Sequence, residues 1–158
     1  MLKVKPFRQK TGLCGPATIK MVLSYYGVEK TEAELAELMR ADPAVGVDAS
    51  RMIEASESLG FKGYFQDNST FEDLERLVKT DQIPVIVDWF SEDDGHYSVV
   101  VDLDTENIYL LDPEIGHVRA MRRSKFFRIW FDFPGEYIKS SADLTIRRLI
   151  VILNQYGH

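Results

Sequence analysis

Ile83-Pro84-Val85-Ile86-Val87-Asp88-Trp89 is the stretch at which the chain changes its period, and it decides the fold class. Downstream, apolar residues fall in short runs rich in Val, Ile and aromatics, separated by Gly, Asp and Asn. Runs of that kind are read as strands, here at 83–89, 96–101, 108–111, 117–121 and 149–153. One helix, 124–130, interrupts them and carries Phe126, Phe127 and Trp130 as core contacts. The turn-rich segment 132–141 reads as a loop or ribbon. Upstream, the period is helical. Residues 15–26 place Ile19, Val22, Leu23 and Tyr26 on one face, with Pro16 in the first turn and Gly27 at the end. Thr31 and Glu34 form a capping-box signature for a helix over 32–40. A third helix starts at Asp48 or Ser50 and stops at Gly60. A short strand at 61–65 then precedes a fourth helix, capped by Ser69 or Thr70. Helices first and an antiparallel sheet second is an α+β arrangement, not a series of βαβ units.

The length, 158 residues, suits a single domain over 1–158. Hydrophobic residues at 45% and charged residues at 28% exclude disordered and collagen-like classes. Twenty-five acids against nineteen bases leave a net charge of −6, so no nucleic-acid partner is expected. The densest basic run, Arg122-Arg123-Ser124-Lys125 with Arg128, reads as the wet side of a helix. No apolar stretch approaches the roughly 18–20 residues of a membrane span, and the N-terminus has no apolar leader. The cytosol is therefore the expected compartment. A single cysteine, Cys14, excludes an internal disulfide framework and a cysteine-cluster zinc site.

Cys14 stands at the predicted entrance of the first helix, where free backbone N–H groups and the helix dipole favour a thiolate. Gly15 is read as leaving room for a substrate to approach the backbone. His96 opens a strand, and a hairpin centred on Asp104 places Asp112 directly across from it. Directly opposed side chains share a face, with Cβ atoms about 4.5–5.5 Å apart. A carboxylate so placed fixes the imidazole tautomer and stabilises the imidazolium. A one-residue slip would put the two on opposite faces. A thiol, an imidazole and a carboxylate in this order are the components of an activated sulfur nucleophile. Of the other histidines, His117 lacks the spacing of a metal site with His96 and Asp112, and His158 is terminal; no metal is expected. The acidic loop Glu92-Asp93-Asp94 reads as solvated surface, with attraction of a basic substrate as its alternative. Trp89 and Phe90 read as structural, with a pocket-lining role as the alternative.

Arg8-Gln9-Lys10-Thr11-Gly12-Leu13-Cys14-Gly15-Pro16-Ala17 resembles the nucleophile segment of the bacteriocin-processing, double-glycine-leader peptidases. These are papain-like cysteine peptidases, often fused to export transporters. Gly95-His96-Tyr97-Ser98-Val99-Val100-Val101 is similar to their histidine strand, and Tyr109-Leu110-Leu111-Asp112-Pro113 with Gly116 to their acid-bearing strand and turn. Residues 121–130 resemble the helix that follows. The resemblance implies a papain-like fold, Cys14 as nucleophile, His96 as base, Asp112 as orienting acid and Gln9 as the oxyanion-hole glutamine. Four residues separate Gln9 from Cys14, one fewer than is usual in the family. The implied substrate is a peptide or protein, the implied partner an export system, and no cofactor is implied. No G-x-x-x-x-G-K-[ST] run occurs, so the chain carries no P-loop of its own. The expected activity is peptide-bond cleavage through an acyl-enzyme on Cys14. Acyl transfer by the same triad and a silent peptide- or protein-binding module on the same fold are the alternatives.

Overall fold

Local capping chemistry starts three of the five helices. In this computed structural model, residues 1–92 and 94–155 are described. Helix α1 spans Cys14–Tyr25, α2 Glu32–Met39 and α3 Ala49–Ser58. The Thr31 hydroxyl accepts the Glu34 backbone N–H at 3.0 Å, and the Glu34 carboxylate accepts the Thr31 N–H at 3.3 Å. Asp48, not Ser50, caps α3 by accepting the Arg51 N–H at 2.9 Å. Thr70, with Asp73 returning the bond, caps α4, Phe71–Leu74, which runs on as a π-helical segment, Glu75–Thr80. Helix α1 differs. Leu13 at its N-cap supplies no side-chain bond, so the first backbone N–H groups stay free.

The strands are β1 Phe61–Gln66, β2 Val85–Ser91, β3 Asp94–Leu103, β4 Asn107–Asp112, β5 His117–Arg122, β6 Phe131–Asp132, β7 Thr145–Ile146 and β8 Arg148–Asn154, with α5, Arg123–Ile129, after β5. Six of them form a sheet in the order β1-β8-β2-β3-β4-β5, with every neighbouring pair antiparallel. The architecture is α+β and papain-like, as read from the change of period. Strands β6 and β7 pair as a two-stranded ribbon at the base of the 133–144 excursion. By strand alternation Trp89, His96 and Ser98 share one face, against which Phe126 of α5 packs. Asp88 and Tyr97 share the other face, where the Tyr97 hydroxyl donates to the Val47 carbonyl ahead of α3. Among the described residues, no helix is long and apolar enough to cross a membrane.

Three expectations need correction. Phe127 is exposed, not core, and lies under the Arg147 guanidinium. In the basic run Arg123 is a structural pin, donating to Glu75 and to the Asp104 carbonyl, each at 2.8 Å, over the Phe71 ring. The largest correction concerns the β3–β4 register. Leu103 pairs with Ile108 and Asp102 with Tyr109, but Val100 pairs with Leu110 and Val99 with Leu111. One residue is thus bulged out at Val101. Continued, this register sets Asp112 beside Ser98 and two residues short of the point facing His96. The two are diagonal neighbours on one face, not direct partners. Without the bulge the register near the turn would put them on opposite faces, so the extra residue restores the parity that joins them.

Candidate active site

Cys14 is the first residue of α1 and is partly exposed. The segment ahead of α3 holds this helix end by close backbone approach. A Cβ on Gly15 would lie 2.2 Å from Val47 Cγ1, so the missing side chain makes room for Val47 and not for a substrate. That corrects the role read for Gly15 from the sequence.

His96 lies inside β3, paired with Trp89, and its ring meets the Trp89 ring edge-on at 5.7 Å. The Trp89 indole donates to the Ser98 hydroxyl at 3.0 Å, which locks that ring in turn. His96 Nε2 and Asp112 Oδ1 are 2.5 Å apart, with the histidine 7% exposed and the aspartate fully buried. Cys14 and His96 line the same cavity walls, and the sulfur is close enough to act on the ring electrostatically. Burial disfavours the charged ring, but the bond to Asp112, its charge and the neighbouring Cys14 sulfur outweigh it, and the His96 pKa rises from 6.5 to about 10. Burial likewise works against the Asp112 charge. His96, the Glu114 backbone N–H and Arg119 together hold its carboxyl below the ordinary range. Arg119 Nη1 donates to Asp112 Oδ2 at 3.2 Å and its guanidinium lies over the Trp89 ring. The structure therefore brings Cys14, His96 and Asp112 together.

Gln9 joins them through its backbone. Its N–H donates to the Pro113 carbonyl at 2.8 Å, tying the loop before Cys14 to the turn after Asp112. Its side-chain Oε1 is buried without a partner among the described residues. Two cavities meet at the sulfur. One, of about 350 Å³, is lined by Gln9, Gly12 and Glu114; the other, of about 460 Å³, by Asp88, Asp132 and Arg148. Cys14 and His96 line both, as do Val45 and Gly95. Trp89 and Phe90 line neither, and Phe90 instead clusters with Phe131 and Phe133, with ring centroids 5.2 Å from each. His117 is exposed at the start of β5. The side chains whose ligand atoms come within 4.8 Å of one another are His96, Asp112 and Glu114, and the His96 nitrogen among them is already engaged by Asp112. His158 and the middle residue of the acidic loop, Asp93, lie outside the described residues.

Sequence reasoning missed Arg119, Asp88 and Asp132. Asp88 had a signal: it is the lone acid in an otherwise apolar strand run, and carboxylates are almost never buried unless paired. Arg119 had none, since only the β4–β5 fold-back brings it to Asp112.

Comparison with known proteins agrees with this fold. An uncharacterized protein of the archaeon Methanothermobacter marburgensis is 37% identical over 126 residues, which is 78% of this chain and 80% of that protein. The lactococcin-G-processing and transport ATP-binding protein of Lactococcus lactis is 31% identical over 127 residues, 78% of this chain but 17% of that protein. Among solved structures, the peptidase domain of Streptococcus ComA, a bifunctional ABC transporter of a quorum-sensing pathway, shares the fold. Its TM-score is 0.72 at 24% identity, covering 96% of this chain and 99% of that one. The Peptidase C39 family matches residues 6–133, and the chain belongs to that family.

Proposed function

We propose that the chain is a cysteine peptidase that cleaves a peptide bond through an acyl-enzyme on Cys14, with His96 as acid and base and Asp112 orienting it. The observation that carries this reading is the buried His96–Asp112 bond of 2.5 Å on a ring that shares its cavity walls with the only thiol of the chain. With its pKa raised to about 10, the ring holds a proton at neutral pH, ready for the leaving group. The sulfur attacks the scissile carbonyl carbon, the C–N bond breaks, and His96 delivers its proton to the departing amine. Water then attacks the thioester; His96 takes a proton from it, and the carboxyl product leaves as the sulfur is released.

Charge on the tetrahedral oxygen needs donors already in place. The free N–H groups at the start of α1 and the Gln9 side-chain amide, on the same cavity wall as Cys14, supply them in this reading. The name of the Lactococcus relative supports a peptide precursor as substrate and an export system as partner. A reducing cytosol, the expected setting, suits a free thiol nucleophile. A silent binding module would carry the same fold with an ordinary thiol.

The test is alkylation of Cys14 by iodoacetamide, followed by intact-mass spectrometry from pH 5 to 9. The peptidase reading expects Cys14 to react at pH 6 faster than a free thiol, and His96→Ala to remove that advantage. Reaction at the free-thiol rate, unchanged in His96→Ala, would establish the binding module instead.

A further inference from the structure

Beside Cys14, on the flank away from Gln9, the cavity wall holds two carboxyl groups that the mechanism above does not use. Asp88, on β2, is 4% exposed, and its Oδ1 is buried with no hydrogen-bond partner among the described residues. Asp132, on β6, reaches the same place because Gly95 has no side chain: a Cβ there would lie 2.3 Å from Asp132 Oδ1. Both line the 460 Å³ cavity that opens at Cys14 and His96. An unpaired carboxylate in such a place costs several kcal/mol, and proteins normally remove the cost with a cation.

The two cations on this wall make their hydrogen bonds elsewhere, and Arg148, across the strand from Asp88, acts on it only through space. Arg148 is clasped by Asp67, donating from Nε at 2.7 Å and from Nη2 at 2.9 Å. Arg51 turns its Nη1 toward the Arg40 carbonyl at 3.5 Å. Among the described residues neither Asp88 nor Asp132 has an ion pair. The other acids nearby are satisfied locally: Asp132 Oδ1 accepts the Phe133 N–H at 2.7 Å, Asp48 caps α3, and Asp94 accepts the Gly95 N–H, which leaves the unpartnered oxygen to Asp88.

We propose that Asp88 and Asp132 form a subsite that takes a positively charged group of the substrate, an amine or a guanidinium, next to the scissile bond. In the empty site the protonated form of Asp88 is favoured. Burial, then the hydrogen bond that protonated Asp88 donates to Asp132 and the Asp132 charge, push Asp88 well above the ordinary carboxyl range. An arriving cation replaces that proton and pairs with the orphaned oxygen. The subsite rests on Cys14 being the nucleophile, and the experiment separates the two.

The probes are three methanethiosulfonates that transfer a charged or neutral two-carbon group to a thiol: aminoethyl (cationic), ethyl (neutral) and sulfonatoethyl (anionic). Each forms a disulfide with Cys14 and releases methanesulfinate, so the rates report the charge preferred beside the sulfur. The folded wild-type chain is expected to prefer the cationic over the neutral reagent by roughly five- to tenfold beyond the preference of free cysteine, the size of one nearby charge at intermediate dielectric. Asp132→Asn and Asp88→Asn should each remove most of that preference, while Glu92→Gln, on the other cavity, should keep it. If Asp88→Asn does not fold, Asp132→Asn, a half-exposed position, decides alone. A wild-type preference equal to that of free cysteine, or one that survives Asp132→Asn, overturns the subsite and leaves the nucleophile intact. Failure of all three reagents to modify Cys14 in the folded chain overturns the nucleophile and the subsite with it.

Discussion

The start of α1, which carries the sulfur, and the β3–β4–β5 corner, which carries the ring and the acid, are held in opposite ways. At the helix end there is no side-chain cap, and what fixes Cys14 is contact: Val47 fills the space over Gly15, and Gln9 is tied by its backbone. At the sheet corner the support is polar. Asp112 takes bonds from His96, Arg119 and the Glu114 backbone, and Trp89 braces the ring. A nucleophile needs free donors and open approach, so its support comes from packing. A general base needs one tautomer and one orientation, so its support comes from a closed hydrogen-bond network.

The sharpest way to break this contrast is Asp112→Asn, which keeps the shape of the corner and removes its charge. Peptide turnover at pH 7 is expected to fall by roughly 10³–10⁴, the size seen when the orienting acid of a triad is neutralised. Stopped-flow alkylation of Cys14 should lose its low-pH advantage in parallel. Gln9→Ala touches the helix-end side alone, and a lost oxyanion donor costs about 10²–10³ in kcat with KM little changed; steady-state kinetics on one peptide read both.

On the packing side, Gly15→Ala drives a methyl into Val47 and should cost about 1–3 kcal/mol by denaturant titration. Val47→Ala added to it should return most of the loss. The same pair of changes at the sheet corner would have no such rescue, because a network member has no substitute.

The smallest effect is a pH dependence of stability. His96 is raised in the folded chain, from 6.5 to about 10, so its contribution is complete below about 6.5 and is lost as pH climbs through 10. Asp112 is lowered, so its contribution is complete above 3.8 and is lost as pH falls through its folded value. The melting temperature should therefore be highest between these limits, and His96→Gln should flatten the alkaline decline measured by calorimetry.

Much of this was legible before any coordinates. The helix starts at Thr31 and Asp48 are written in side chains that bond their own neighbours, and the strands are written in runs of Val and Ile. Cys14, His96 and Asp112 were picked out by residue type, by place in their elements and by resemblance. The β3–β4 register was not legible, because a bulge at Val101 has no mark in an apolar run. The centre of the hairpin was misjudged with it. Asp88 was visible as an odd acid in a strand, yet its partner Asp132 was not, since forty-three residues separate them and only Gly95 lets them meet.

By itself the chain's order of residues set the α+β class, the capped helices and the candidates Cys14, His96 and Asp112, since each is read from near neighbours, period or resemblance. The folded molecule alone decided that a one-residue bulge returns His96 to the face of Asp112, that Arg119 completes the acid, and that two carboxyls stand beside the sulfur. Those outcomes depend on which strands lie side by side and where packing leaves space, and no local pattern of residues encodes either.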